Sequence, residues 1–308
     1  MIRKIMLLLF LLLLITGCAQ EHPFANRHDK IPTDLEKMTP ELDKHPPILH
    51  SDEFENPVPL AIINTAGGED SPFIPADRDE FYFFFTPDVR VPVEKQILDG
   101  VTGIWMSKME NGGFTEPQRV WLQKPGKLSG DGCEFVQDNE MIFCTVREGY
   151  TGVHWFSAEW KDNKWTKWKN ADFNPEYDVG ELHIWNDELY YHSDREGGKS
   201  GTDIWMLKRI DGEWKNPVNI EAVNSEEIEG WPYVTADGNE MWFNRRYLGT
   251  PATFRSKRIN GEWQKPELIV SQFAGEPTLD KNGNLYFVHH YYDNGVMLEA
   301  DIYVAYRK

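Results

Sequence analysis

Two glutamates and two histidines occupy matching places in this chain, and together they have the makings of a reactive site. If Asn186 and Asp187 form a two-residue hairpin turn, Glu181 falls opposite His192 on the returning strand. If Asn282 and Gly283 do the same, Glu276 falls opposite His289, and a turn at Asp138 and Asn139 sets Cys133 against Cys144. The equivalent place elsewhere holds Ser71 with Phe84 and Trp231 with Asn244. A carboxylate beside an imidazole raises its pKa and fixes its tautomer, which suits general acid–base chemistry. Two such pairs, Glu181 with His192 and Glu276 with His289, also have the donor set for a divalent metal. The alternative is that each pair is a cross-strand hydrogen bond with no chemistry to perform. No other cofactor is called for, and a serine-nucleophile triad, a phosphate-binding loop, a dinucleotide fingerprint and zinc-finger spacing are all absent from the sequence.

Other candidates gather near the same positions. Asp70, Glu134 and Glu229 lie at or beside the first strands of these hairpins, and Arg90, Arg147, Arg195, Arg245 and Arg246 follow the second strands. Arginines, carboxylates and aromatic rings together recognise sugars and acids, through planar hydrogen bonds and ring stacking. The expected ligand-binding set is Glu134, Glu181, His192, Arg195, Glu229, Trp231, Arg245, Glu276, His289 and Arg147, and Asp70, Glu181 and Glu276 are the acids available for catalysis. Arg195 has the simpler alternative of bracing its own loop. Cys133 and Cys144 could form a disulfide in an oxidising compartment.

A repeat positions these residues. A turn followed by an aromatic recurs at Phe54, Phe114, Trp165, Trp214 and Trp263, at intervals near 50 residues. Alternating aromatic and β-branched runs between Asn, Asp and Gly turns predict antiparallel meanders, and a period of this length predicts propeller blades. The last repeat ends after its third strand, AspIleTyrValAlaTyr at 301–306, whereas the first is only a fourth strand, GluPheGluAsnProVal at 53–58. The expectation is therefore an all-β, five-bladed β-propeller of four-stranded antiparallel blades over 52–308, its ring closed by a strand at about 53–63 that completes the last blade. Closure of this kind removes exposed sheet edges. A longer stretch, Pro87 to Thr102, is expected on the ligand face, since the first strand of each blade would line the channel.

HisSerAspArgGluGlyGlyLysSerGlyThrAspIleTrp at 192–205 resembles the TolB-like propeller repeat, and AspIleTyr at 301–303 repeats its end. That resemblance implies a periplasmic or surface propeller, often with a binding role, and supplies no general catalytic set. Five-bladed propellers also include glycosidases with three acids at the channel, of which GluAspSerPro at 69–72 is a loose echo.

The address comes from the amino terminus. Arg3 and Lys4 precede an apolar run from Ile5 to Ile15, and IleThrGlyCys at 15–18 resembles a bacterial lipobox. Residues 1–17 are thus expected to be a signal peptide and Cys18 the lipidated residue that reaches the membrane, with Ala19 favouring an outer membrane where one exists. Residues 18–51 read as a flexible tether. A net charge of −18 argues against nucleic acid as partner. The functional expectation is an envelope lipoprotein, a monomeric propeller, whose channel face binds a glycan, peptide or envelope protein. A glycan-active hydrolase or lyase and a structural scaffold are the alternatives.

Overall fold

The computed structural model describes residues 26–308 other than Pro125 and Lys167. Cys18 and the 1–17 segment lie outside the described residues. Apart from three short 3-10 turns, at Arg27–Asp29, Val93–Lys95 and Pro175–Tyr177, the regular structure is all strand. No helix among the described residues is long and apolar enough to cross a membrane.

The strands form antiparallel meanders that follow the repeat. One runs through Gly132–Gln137, Glu140–Thr145, His154–Lys161 and Lys169–Asn170. The next comprises Leu182–Trp185, Glu188–Ser193, Asp203–Ile210 and Glu213–Asn219, and another Glu229–Val234, Glu240–Tyr247, Thr250–Ile259 and Glu267–Ser271. In the fourth sheet Ala274–Leu279, Leu285–Asp293 and Val296–Ala305 meet Gly68–Phe73, Glu80–Thr86 and Gly103–Glu110 through one parallel pair, Ala300 with Gly68. The tight turns between third and fourth strands use the left-handed conformation at both central residues, as at Asn111–Gly112, Asp211–Gly212 and Asn260–Gly261. That is the geometry which matches strand twist in a two-residue hairpin.

At four of its five occurrences the recurring aromatic fastens one meander to the one before it. Trp263 packs edge-on against Tyr190 at 5.9 Å, Phe114 against Tyr286 at 6.2 Å, and Phe54 against Trp242 at 6.0 Å. Trp165 shares Arg78 with the preceding meander, whose guanidinium lies 5.6 Å from its ring. The period is thus the period of an interface, and the apolar rings supply its burial. Asparagine side chains add a second clamp. Asn224 accepts from the Ile204 amide and donates to the Ile204 carbonyl, and Asn64 does the same with Ile302.

The amino-terminal strand pairs with the end of the chain. Val58 and Pro59 pair with Val304 and Tyr303, and Phe54 bridges Arg307, so this segment lies beside the last strand of the chain. Residues 26–51, by contrast, depart from the expected tether. Arg27 is 3 % exposed and bonds Glu69 at 2.9 Å and the Ile63 carbonyl at 2.8 Å. Lys37 pairs with Glu299 and Asp301, Asp43 bonds His289 at 2.8 Å, and Ile48–Leu49 adds a strand to Glu267–Ser271. Low hydrophobicity suggested disorder, but these residues are held by charges and backbone pairing, which a hydropathy pattern does not register.

Candidate functional site

One position in the innermost strands turns inward. Ser71, Cys133, Trp231 and Glu276 all adopt positive φ, between 49° and 54°, and each sits at a β-bulge where the register with the second strand slips. For bulky residues this backbone region is unfavourable, so its recurrence marks a position the surrounding structure enforces. Glu181 occupies the equivalent place beside Leu182–Trp185. These are the five places that the hairpin alignment brought together.

Their partners differ from that alignment. The bulge places Gly132, and not Cys133, opposite Cys144, although the two sulfurs are joined with Cα atoms 5.5 Å apart. The last hairpin reverses through Asp280–Asn284, five residues rather than two, and Ala274 stands opposite His289. The expected Glu276–His289 pair is therefore absent, and His289 is held by Asp43 and by the rings of Tyr291 and Tyr303. Glu181 and His192 do meet across the hairpin, but only through the backbone, His192 N–H to the Glu181 carbonyl at 3.3 Å. The His192 ring packs at a tilt against the Trp231 ring at 4.8 Å and accepts the Trp231 amide N–H at 3.4 Å. It lies where any side chain at Gly180 would collide, with a Cβ there only 2.5 Å away. Burial pushes His192 down to about 4, so it serves as a neutral wedge. The metal set Glu181, His192, Glu276 and His289 is not assembled, and no cluster of three or more metal-ligating side chains occurs among the described residues.

What does assemble is a well of about 60 Å³ between the innermost strands, lined by Ser71, Cys133, Glu134, Glu181, Trp231 and Glu276. Its floor is aromatic: His183 packs against Phe135 at 5.1 Å, Tyr233 at 4.8 Å and Phe73 at 6.1 Å. Burial pushes His183 down to about 3, which keeps this floor uncharged. Above it the carboxylates crowd one another. Burial, then repulsion from Asp70, drives Glu181 up to about 7, while the Trp231 indole pulls the other way. Burial and the charges of Asp70, Glu181 and Glu134 raise Glu276 well above the usual range, although Ser71 donates to it at 2.6 Å. Glu134 is raised by burial and by Glu181. Asp70 goes the other way, because His290 at 3.7 Å and the Ser71 amide outweigh the effect of burial. The site thus holds one ionised acid beside three that resist ionisation.

The remaining expected site residues are braces. Glu229 receives the Ser225 amide and hydroxyl and Arg245 at 2.6 Å, and the Arg245 guanidinium lies over Phe254. Arg147 is buried against Asp131 at 2.8 Å and over Trp168. Arg195 lies 4.7 Å over the ring of Trp205, on the strand Asp203–Ile210 that follows its loop. Sequence reasoning placed Ser71 at the equivalent position without giving it a role, and it missed the floor residues Phe73, Phe135 and Tyr233. A signal was present: a small or acidic residue, the inward residue, then Pro recurs at 70–72, 230–232 and 275–277.

A larger cavity of about 1270 Å³ opens at the first hairpin turns, around Asp77, Asp237 and Asp280. These polar groups bond locally, Lys281 to Asp79 at 2.7 Å, Thr235 to Asp237 and Asn284 to Asp280. The unspent acids lie in the smaller well.

No family model matches the chain, and no curated protein matches it. Solved structures do. An endo-arabinase from Bacteroides thetaiotaomicron is similar over 81 % of this chain and 96 % of its own, at 14 % identity and a TM-score of 0.51. The fold is a β-propeller. TolB from Acinetobacter baumannii is similar over 79 % of this chain at 13 % identity and a TM-score of 0.46, and this chain spans 56 % of that TolB chain. A gluconolactonase from Xanthomonas campestris is similar over 85 % of this chain and 95 % of its own, at 10 % identity and a TM-score of 0.46.

Proposed function

We propose that this propeller is an envelope lipoprotein, anchored through lipid on Cys18, whose channel face binds a partner without catalysis. Its meanders are read as five blades in a monomeric ring, closed where the strand at 53–63 joins the last blade; the pairing of Val58 with Val304 supports this. The observation that carries the binding reading is the size of the well. About 60 Å³ above an aromatic floor is roughly the space of two waters. It admits a side chain from a peptide or protein and excludes a sugar ring between the acids, which disfavours the glycan. A metal-dependent mechanism has no assembled ligand set among the described residues.

The test is a photo-crosslinking residue placed at Ser71, on the channel, or at Tyr306, on the opposite cavity, in the full chain in its host. A defined partner crosslinked from Ser71 alone supports the reading, and equal crosslinking from both positions rejects it. Loss of membrane attachment in Cys18→Ala tests the anchor. One observation favours an enzymatic second reading: Glu181 near 7 stands beside an ionised Asp70, a difference in protonation that acid–base catalysis exploits. Polysaccharide cleavage abolished in Glu181→Gln would install that reading instead.

A further inference from the structure

Glu134 is the least reconciled group in the well. It is 6 % exposed, and neither of its carboxylate oxygens has a hydrogen-bond partner among the described residues. Buried acceptors are normally satisfied, and leaving one bare is costly. The walls of the well contain no lysine or arginine, and its one imidazole, His183, is packed into the floor. Two further carboxyls, Glu181 and Glu276, line the same well, and the adjacent Asp70 is the one that stays ionised. Of these carboxyls, Glu134 is the one left without a donor.

We infer that the well receives a primary ammonium group, delivered as a lysine side chain by a protein partner; the inference rests on the channel-face binding reading above. An ammonium is compact and offers three donors, so one group reaches acceptors on several strands. A guanidinium is planar and wider, and about 60 Å³ leaves it little room. A sugar ring is excluded on the same ground, and a divalent metal lacks its trio of ligands among the described residues. Overall charge assists, since −18 attracts cationic segments from solution.

Calorimetric titration of the full chain in detergent tests this, with Ac-Gly-Lys-Gly-amide, its norleucine analogue and methylammonium chloride as probes. The lysine peptide binds, methylammonium competes with it, and norleucine in place of lysine weakens binding at least tenfold. Glu134→Gln weakens the lysine peptide at least tenfold, whereas Glu176→Gln in the loop at Pro175–Tyr177 leaves it unchanged. Equal binding of the norleucine peptide overturns the inference without recourse to a variant, as does the absence of any binding by the lysine peptide. If a partner still crosslinks from Ser71 in that event, the channel-face reading stands and only the ammonium is wrong; if crosslinking also fails, both fall.

Discussion

Replacing Arg27 is the sharpest test of how the amino-terminal segment is held. The guanidinium donates to Glu69 at 2.9 Å and to the Ile63 carbonyl at 2.8 Å, and it lies within 5.5 Å of the Phe83, Phe85 and Trp105 rings. Both partners are buried. Removing one member of a buried pair costs about 3–5 kcal/mol, because the other charge is left uncompensated. Burial already pushes Glu69 up to about 7 despite Arg27, so the lower half of that range is expected near neutral pH, where the orphaned carboxyl takes up a proton. Arg27→Ala therefore destabilises the full chain by about 3 kcal/mol in urea unfolding. Arg27→Met, which keeps the stem on the rings, recovers little alone, but combined with Glu69→Gln it returns to within about 1 kcal/mol of the native chain, since neutral groups of similar volume replace a buried pair at little cost. An Arg27→Ala cost below about 0.5 kcal/mol, the range of surface substitutions, would refute the packing and restore a flexible tether.

Two further outcomes follow from the geometry. Glu181 ionises at about 7 in the folded chain and near 4.5 unfolded, so the folded state holds the extra proton and stability falls as pH rises from 4.5 to 7. Glu181→Gln removes that loss and gains on the native chain across the window, by no more than about 3.4 kcal/mol; urea midpoints at pH 5 and 8 measure it, and a pH-independent difference rejects the burial argument. Asn224→Ala abandons the Ile204 amide and carbonyl and costs about 1–3 kcal/mol, read by the same unfolding assay, with a cost below 0.5 kcal/mol rejecting the clamp.

The sequence was most legible where structure is local and repeated. The Asn and Gly turns, the strand runs and the aromatic at Phe54, Phe114, Trp165, Trp214 and Trp263 each follow from neighbours in the chain, and the repeat made them mutually consistent. The same repetition located the inward position in every innermost strand. It did not give the partners of that position, because a left-handed residue at Ser71, Cys133, Trp231 and Glu276 inserts a bulge that slips the register by one. A single-residue slip sends side chains to the other face, and with the five-residue turn at Asp280–Asn284 it separated Glu276 from His289.

Long-range electrostatics was illegible for a different reason. Arg27 with Glu69, Lys37 with Glu299 and Asp43 with His289 join residues whose separation carries no pattern, so a polar segment looked unbound. Turn chemistry, aromatic period and strand alternation are properties of adjacent residues, and the sequence alone determined them. Which acids share one small well, and which residues merely brace it, was decided only by tertiary structure, because burial and mutual repulsion exist only once distant strands are brought together.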